Sequence, residues 1–183
     1  ADIIYGLNEH TATYTTDSGI VIGIVSANLL AADEKHANYI RDGIKSLRDE
    51  GADLVIASCH WGIEGDHYPN SYQQEMAHQV IDWGADVLIG SHPHVLQGIE
   101  LYHGKWILYS LGNFVFGSSI PETMLVQASV DAQGETALSI VPATSSAGYT
   151  RELDVGKKEA FYQKIQGLSD GVQIDENGKV QVQ

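Results

Sequence analysis

The chain has 183 residues and is 43% hydrophobic, which suffices for one domain with a real core and excludes a disordered tail. Its formal net charge of −14 excludes nucleic-acid binding through a basic surface. Cys59 is the sole cysteine, so no internal disulfide forms, and no apolar run reaches transmembrane length.

Residues 20–25 read Ile-Val-Ile-Gly-Ile-Val, a β-branched run that predicts a strand buried on both faces. Asp33 is placed to cap a helix whose Ala37, Ile40, Ile44 and Leu47 share one face, and Gly51 ends it. Residues 54–57 are a second buried strand, leading to His60 and a polar loop over 63–69. Asn70 with Gln73 reads as a capping box, opening a helix with Tyr72, Met76, Val80 and Trp83 on one face. Gly84 stops it, and residues 87–89 form another short apolar strand.

From there the pattern changes to hairpins. Residues 99–102 and 106–109 flank a turn at His103-Gly104, and residues 124–130 and 136–141 flank one at Gln133-Gly134. Residues 143–150 read as a small-residue loop and 159–168 as a last helix. Residues 172–174 and 180–182 flank Asn177-Gly178, so a terminal hairpin is expected within 170–183. The expected class is α/β (α+β), two packed sheets with helices outside, in one domain over 1–183.

Two stretches echo each other: Gly51-Ala-Asp-Leu-Val-Ile-Ala-Ser-Cys-His60 and Gly84-Ala-Asp-Val-Leu-Ile-Gly-Ser-His92-Pro-His94. Both are helix, glycine stop, apolar strand, then histidine. Adjacent parallel strands would bring His60, His92 and His94 to the carboxyl rim of one sheet, where α/β sheets bind ligands. Imidazole is the commonest metal ligand, so the three are candidate metal ligands. On an extended segment His92 and His94 face one side, and Pro93 stiffens the backbone between them. The competing reading is that these histidines hydrogen-bond to backbone at loop starts.

Glu64 either orients a ligand imidazole through its second nitrogen or belongs to a solvated acidic loop. For Asp66 and His67 the solvated loop is preferred. His10, His36 and His78 lack a partner pattern and read as surface residues, and His103 as a hairpin tip. Trp61 is either a pocket wall or a core cover, and Cys59 a buried small hydrophobe. Gly112-Asn113 interrupts a strong strand over 109–116. Asn113 is either aimed into a site or satisfied within a β-bulge.

Taken together, His60-Trp-Gly-x-Glu64, Gly90-Ser-His-Pro-His94-Val-Leu-Gln97, Ile99-Glu100 and Tyr109-Ser-Leu-Gly-Asn-Phe114 resemble the bacterial capsule-synthesis CapA family, over roughly residues 20–130. That poly-γ-glutamate capsule family looks like a branch of the calcineurin-like metallophosphoesterases. The resemblance implies a double β-sandwich flanked by helices, in a protein at the cell surface or outside it, anchored through a segment not present here. It also implies divalent metals (Mn, Zn or Fe), with His60 and His92 on one ion and His94 on a second. The superfamily's early Asp-x-His, Gly-Asp and Asn-His motifs have no counterpart here; Asn8-Glu-His10 lacks the expected neighbours. The chain therefore reads as the C-terminal half of a family member. Alone it is expected to hold metal weakly or not at all, to be inactive, and to cover its exposed rim with the N-terminal half or by homodimerisation. Catalysis remains open: one reading is metal-dependent hydrolysis of a phosphoester or polymer-linked substrate. The other is a non-catalytic binding subunit of a capsule polymer synthesis or export complex.

Overall fold

The computed structural model describes residues 11–131 and 135–182. Its main sheet is built from β1 (Thr11–Thr15), β2 (Val21–Asn28), β3 (Leu54–His60), β4 (Val87–Ser91), β5 (Ile99–Tyr102) and β6 (Lys105–Leu108), in the order β1-β2-β3-β4-β6-β5. The strands β2, β3, β4 and β6 run parallel, and antiparallel β1 and β5 close the edges. The order moves across the sheet without reversing between β2 and β4. Crossovers of one hand that step in one direction place their helices on one face. Helices α1 (Glu34–Asp49) and α2 (Ser71–Asp82) accordingly share one core with Val25, Val55, Ala57, Cys59 and Leu88.

Both helices begin and end as their sequence demands. Asp33 accepts from the His36 backbone N–H at 3.0 Å, and Asn70 and Gln73 complete the capping box. Gly51 and Gly84 follow the helix ends at φ 91° and 110°, where a Cβ would be strained. Ile40, Ile44 and Leu47 are fully buried, as are Met76 and Val80 to within a few per cent.

The sheet's other face is covered by a second layer. Strands β7 (Ile120–Val130), β8 (Thr136–Ser146) and β9 (Tyr149–Glu152) form an antiparallel sheet. Helix α3 (Val155–Leu168) and the hairpin of β10 (Val172–Ile174) and β11 (Val180–Val182) complete it. Its core joins Val87, Ile99, Trp106 and Leu108 of the main sheet to Met124, Leu138, Ile140, Phe161 and Ile165. The layered α/β architecture is the one expected.

Several local expectations are corrected. Residues 143–150 are not a loop: β8 runs on to Ser146 and turns into β9 through Ala147 and Gly148, both at positive φ. Ala143 and Ser145 are buried there, Thr144 is half-buried and Ser146 exposed, so the segment carries no apolar signature. Helix α3 starts at Val155 rather than 159, because Gly156, Lys157 and Lys158 carry no apolar period. Strand β1 has no apolar pattern to announce it; it is polar and mostly exposed, and β2 recruits it. Strand β2 is not buried on both faces: Gly23, Val25 and Ala27 are buried, while the alternate residues are partly exposed. Strand β6 stops at Leu108, so residues 109–116 are a loop with a single bridge, Leu111 to Leu96, and not an interrupted strand. The turn at Gln133-Gly134 lies outside the described residues.

Candidate functional site at the carboxyl rim

The site starts with strand parity. Val55, Ala57 and Cys59 point into the helix-side core, so the period of two turns His60 to the opposite face at the end of β3. In register with it across the parallel ladder stands Ser91, the last residue of β4. The following residues, His92-Pro93-His94, leave the sheet at the same rim. The ring centroids of His60 and His92 are 4.7 Å apart and those of His92 and His94 6.1 Å. The three histidines therefore come together as the echo required, but not through an extended segment. His92 and His94 take φ of 99° and 61°, left-handed conformations that β-carbons disfavour. Strain of this kind clusters at functional sites, where the surrounding structure holds it in place.

Hydrogen bonds fix how two of the rings present themselves. His60 Nδ1 lies 3.2 Å from Ser91 Oγ, which can itself donate to the Cys59 carbonyl at 3.4 Å. His94 Nδ1 donates to Asn113 Oδ1 at 2.7 Å. An imidazole that donates from Nδ1 keeps the Nε2 lone pair free. Asn113 is thus aimed at the site, carried by the loop after β6, where Gly112 turns at φ 64°. Burial pushes the His60 pKa below its ordinary 6.5, and the neighbouring His92 and His94 lower it further. His60 is held neutral, the form a metal requires.

The loop after β3 is fastened over the rim. Trp61 is fully buried and donates from Nε1 to the Tyr109 carbonyl at 3.0 Å, so it belongs to the core. The Gly65 N–H donates to the Pro93 carbonyl at 2.9 Å, and His67 Nδ1 to the Leu96 carbonyl at 3.0 Å. Two buried amides hold the loop from below: Gln73 Nε2 donates to Gln97 Oε1 and Gln97 Nε2 to the Asp66 carbonyl, each at 2.9 Å. Glu64 sits at the top of this loop, with Oε1 4.0 Å from His94 Nε2. Asp66 accepts from the Tyr68 N–H at 3.0 Å, a local turn role.

The remaining histidines lie elsewhere. His36 pairs with its cap Asp33 at 2.6 Å, and His103, at a hairpin tip, with Asp82 at 3.2 Å. His78 is not a bare surface residue: it bonds Glu100 Oε1 at 2.7 Å and stacks on Tyr102 at 3.9 Å. Tyr109 donates to the other oxygen of Glu100 at 2.7 Å, and burial, then that bond, raises its phenol pKa. Glu100 is 22 residues from His78, so no sequence pattern exposed the pair. His10 lies outside the described residues. The buried Gln73–Gln97 pair has no signal in the sequence as a unit, because a capping residue and a loop residue carry no shared period.

Among the described residues, no group of three or more His, Cys, Asp or Glu side chains is placed where it could hold a metal ion. The donors nevertheless fit a divalent cation in kind. Imidazole nitrogens with a nearby carboxylate are donors that suit zinc, manganese or iron. His60, His92 and His94 are the residues that would hold it.

Fold and site together define a layered α/β protein with an imidazole cluster on the carboxyl rim of its main sheet. The chain belongs to the bacterial capsule synthesis protein PGA_cap family, whose model matches residues 6–118. It is 36% identical over 132 residues to the capsule biosynthesis protein CapA of Bacillus anthracis, covering 69% of this chain and 32% of that protein. It is 44% identical over 94 residues to the PGA biosynthesis protein CapA of Bacillus subtilis, covering 50% of this chain and 25% of that protein. The chain thus spans a third or less of these relatives. A crystal structure of a hypothetical protein from Thermus thermophilus superposes with a TM-score of 0.52 at 16% identity, covering 79% of this chain and 62% of that one. That likeness concerns the fold alone. No described helix is long and apolar enough to cross a membrane.

Proposed function

We propose that this chain is the histidine-bearing part of a divalent-metal hydrolase that serves synthesis of a poly-γ-glutamate-type capsule, acting on a phosphoester or polymer-linked substrate at the cell surface. The observation that carries the reading is the convergence of His60, His92 and His94 at one rim, with Ser91 and Asn113 fixing two of the rings. The capsule role is supported by the names of the family and of the two CapA relatives. A bound divalent ion would supply Lewis acidity and a water of lowered pKa. The chain's own part is to orient the imidazoles, two of them through Ser91 and Asn113, while Trp61 and the amide pair beneath the loop anchor the rim.

Exposed Leu30, Ile63, Phe114, Val115 and Phe116 follow the rim ends of β2, β3 and β6. Apolar exposure of this extent supports a partner surface there, supplied in our reading by the rest of the longer protein. The experiment assays the full-length protein and this chain side by side on an aryl phosphate, with manganese or zinc. Turnover by the full-length protein, lost in His60→Ala and His92→Ala and absent from this chain, is the expected result. Metal-loaded full-length protein that binds polymer without turnover would instead establish a non-catalytic binding subunit.

A further inference from the structure

We propose that Glu64 is itself a cation ligand, sharing one divalent ion with His94, and does not orient an imidazole from behind. The proposal rests on the reading of the rim as a metal site and assigns the second ion position its carboxylate.

The backbone places the residue. The Gly65 N–H bonds the carbonyl of Pro93, which lies between His92 and His94, so Glu64 is pinned opposite His94. Gly62 and Gly65 turn at φ 88° and 79° on either side, lifting Glu64 over the rim. The face of His94 that Glu64 meets is equally informative. Nδ1 of that ring is already committed to Asn113, so the orienting role is filled. Glu64 instead faces Nε2, the nitrogen that carries the lone pair, at 4.0 Å. A carboxylate and an imidazole lone pair repel unless a proton or a cation lies between them. Two donors at about 2.1 Å from one tetrahedral ion stand about 3.4 Å from each other. Closing the observed gap needs only a small side-chain adjustment, and the two side chains are 70% and 47% exposed. The His94 pair is the side-chain contact recorded for Glu64 among the described residues.

Charge argues the same way. Neutral imidazoles leave the charge of a cation uncompensated, and an anionic oxygen offsets it. A mixed nitrogen and oxygen set selects manganese, iron or zinc over soft monovalent copper. His60 and His92, edge to face at 4.7 Å, remain for a separate position.

The test replaces the carboxylate by a thiolate and reads cobalt(II) by absorbance and equilibrium dialysis. Glu64→Cys at saturating cobalt should show a thiolate-to-cobalt charge-transfer band in the near ultraviolet. The parent chain should show none, since Cys59 is fully buried in the core. His94→Ala in the Glu64→Cys background should remove the band. A parent that binds cobalt through its histidines while Glu64→Cys lacks the band overturns the ligand role and leaves the metal site standing. A band that survives His94→Ala overturns the shared ion. A parent that binds no cobalt either as this chain or as the full-length protein overturns both readings.

Discussion

Gly90 of β4 lies directly against the backbone after β6, and enlarging it tests how the rim is held. A Cβ there would lie 1.9 Å from the Tyr109 carbonyl oxygen and 2.6 Å from Trp61 Nε1. A carbon rests about 3.3 Å or more from a carbonyl oxygen, so the overlap exceeds about 1 Å and falls on backbone. Strand β4 and the residues after β6 must separate. Overpacking of this kind costs about 1–3 kcal/mol, and more when backbone must move. The shift also breaks the bond from the Trp61 indole to that carbonyl, leaving a buried donor unpaired at about 1–3 kcal/mol. Gly90→Ala should therefore lose about 2–6 kcal/mol, a large share of the about 5–15 kcal/mol that holds a domain together. Urea unfolding at constant m-value measures it. Gly156→Ala is the control: nothing lies within 4 Å of its added Cβ, and φ is ordinary. In the exposed first turn of α3 it should gain no more than about 0.5 kcal/mol, the low end of the interior value. A loss at Gly90 below about 1 kcal/mol would show that the close approach does not hold the rim together.

Two further perturbations read the site. Because the His60 pKa is lowered on folding, the folded chain takes up fewer protons than the unfolded chain between the folded pKa and the ordinary 6.5. Stability is thus present above pH 6.5 and falls as the pH drops toward the folded pKa, and cobalt affinity should fall over the same window. Melting curves of the parent should lose ground to His60→Gln below pH 6.5; parallel curves would refute the assignment. Gln97→Leu removes the partners of Gln73 Nε2 and of the Asp66 carbonyl, so it should cost about 1–3 kcal/mol. Faster amide exchange at Gly65 should accompany that loss, and protection unchanged from the parent would show that the amide pair does not anchor the Glu64 loop.

What the sequence determined by itself was local and periodic. The capping box at Asn70, the stops at Gly51 and Gly84 and the apolar faces of α1 and α2 each depend on neighbours within a few residues. The repeated helix-to-histidine pattern also placed His60 and His92 on one rim, because parallel strands joined by helices end on the same side. Tertiary structure alone decided what lies far apart in sequence. The pairing of His94 with Asn113 spans 19 residues, and that of Gln73 with Gln97 spans 24. The turn that pins Gly65 to Pro93 sets which nitrogen Glu64 meets. The small-residue end of β8 and the polar β1 became strands because neighbours offered them hydrogen bonds. Strand propensity is largely the fit to an adjacent strand, and that neighbour exists only once the chain has folded.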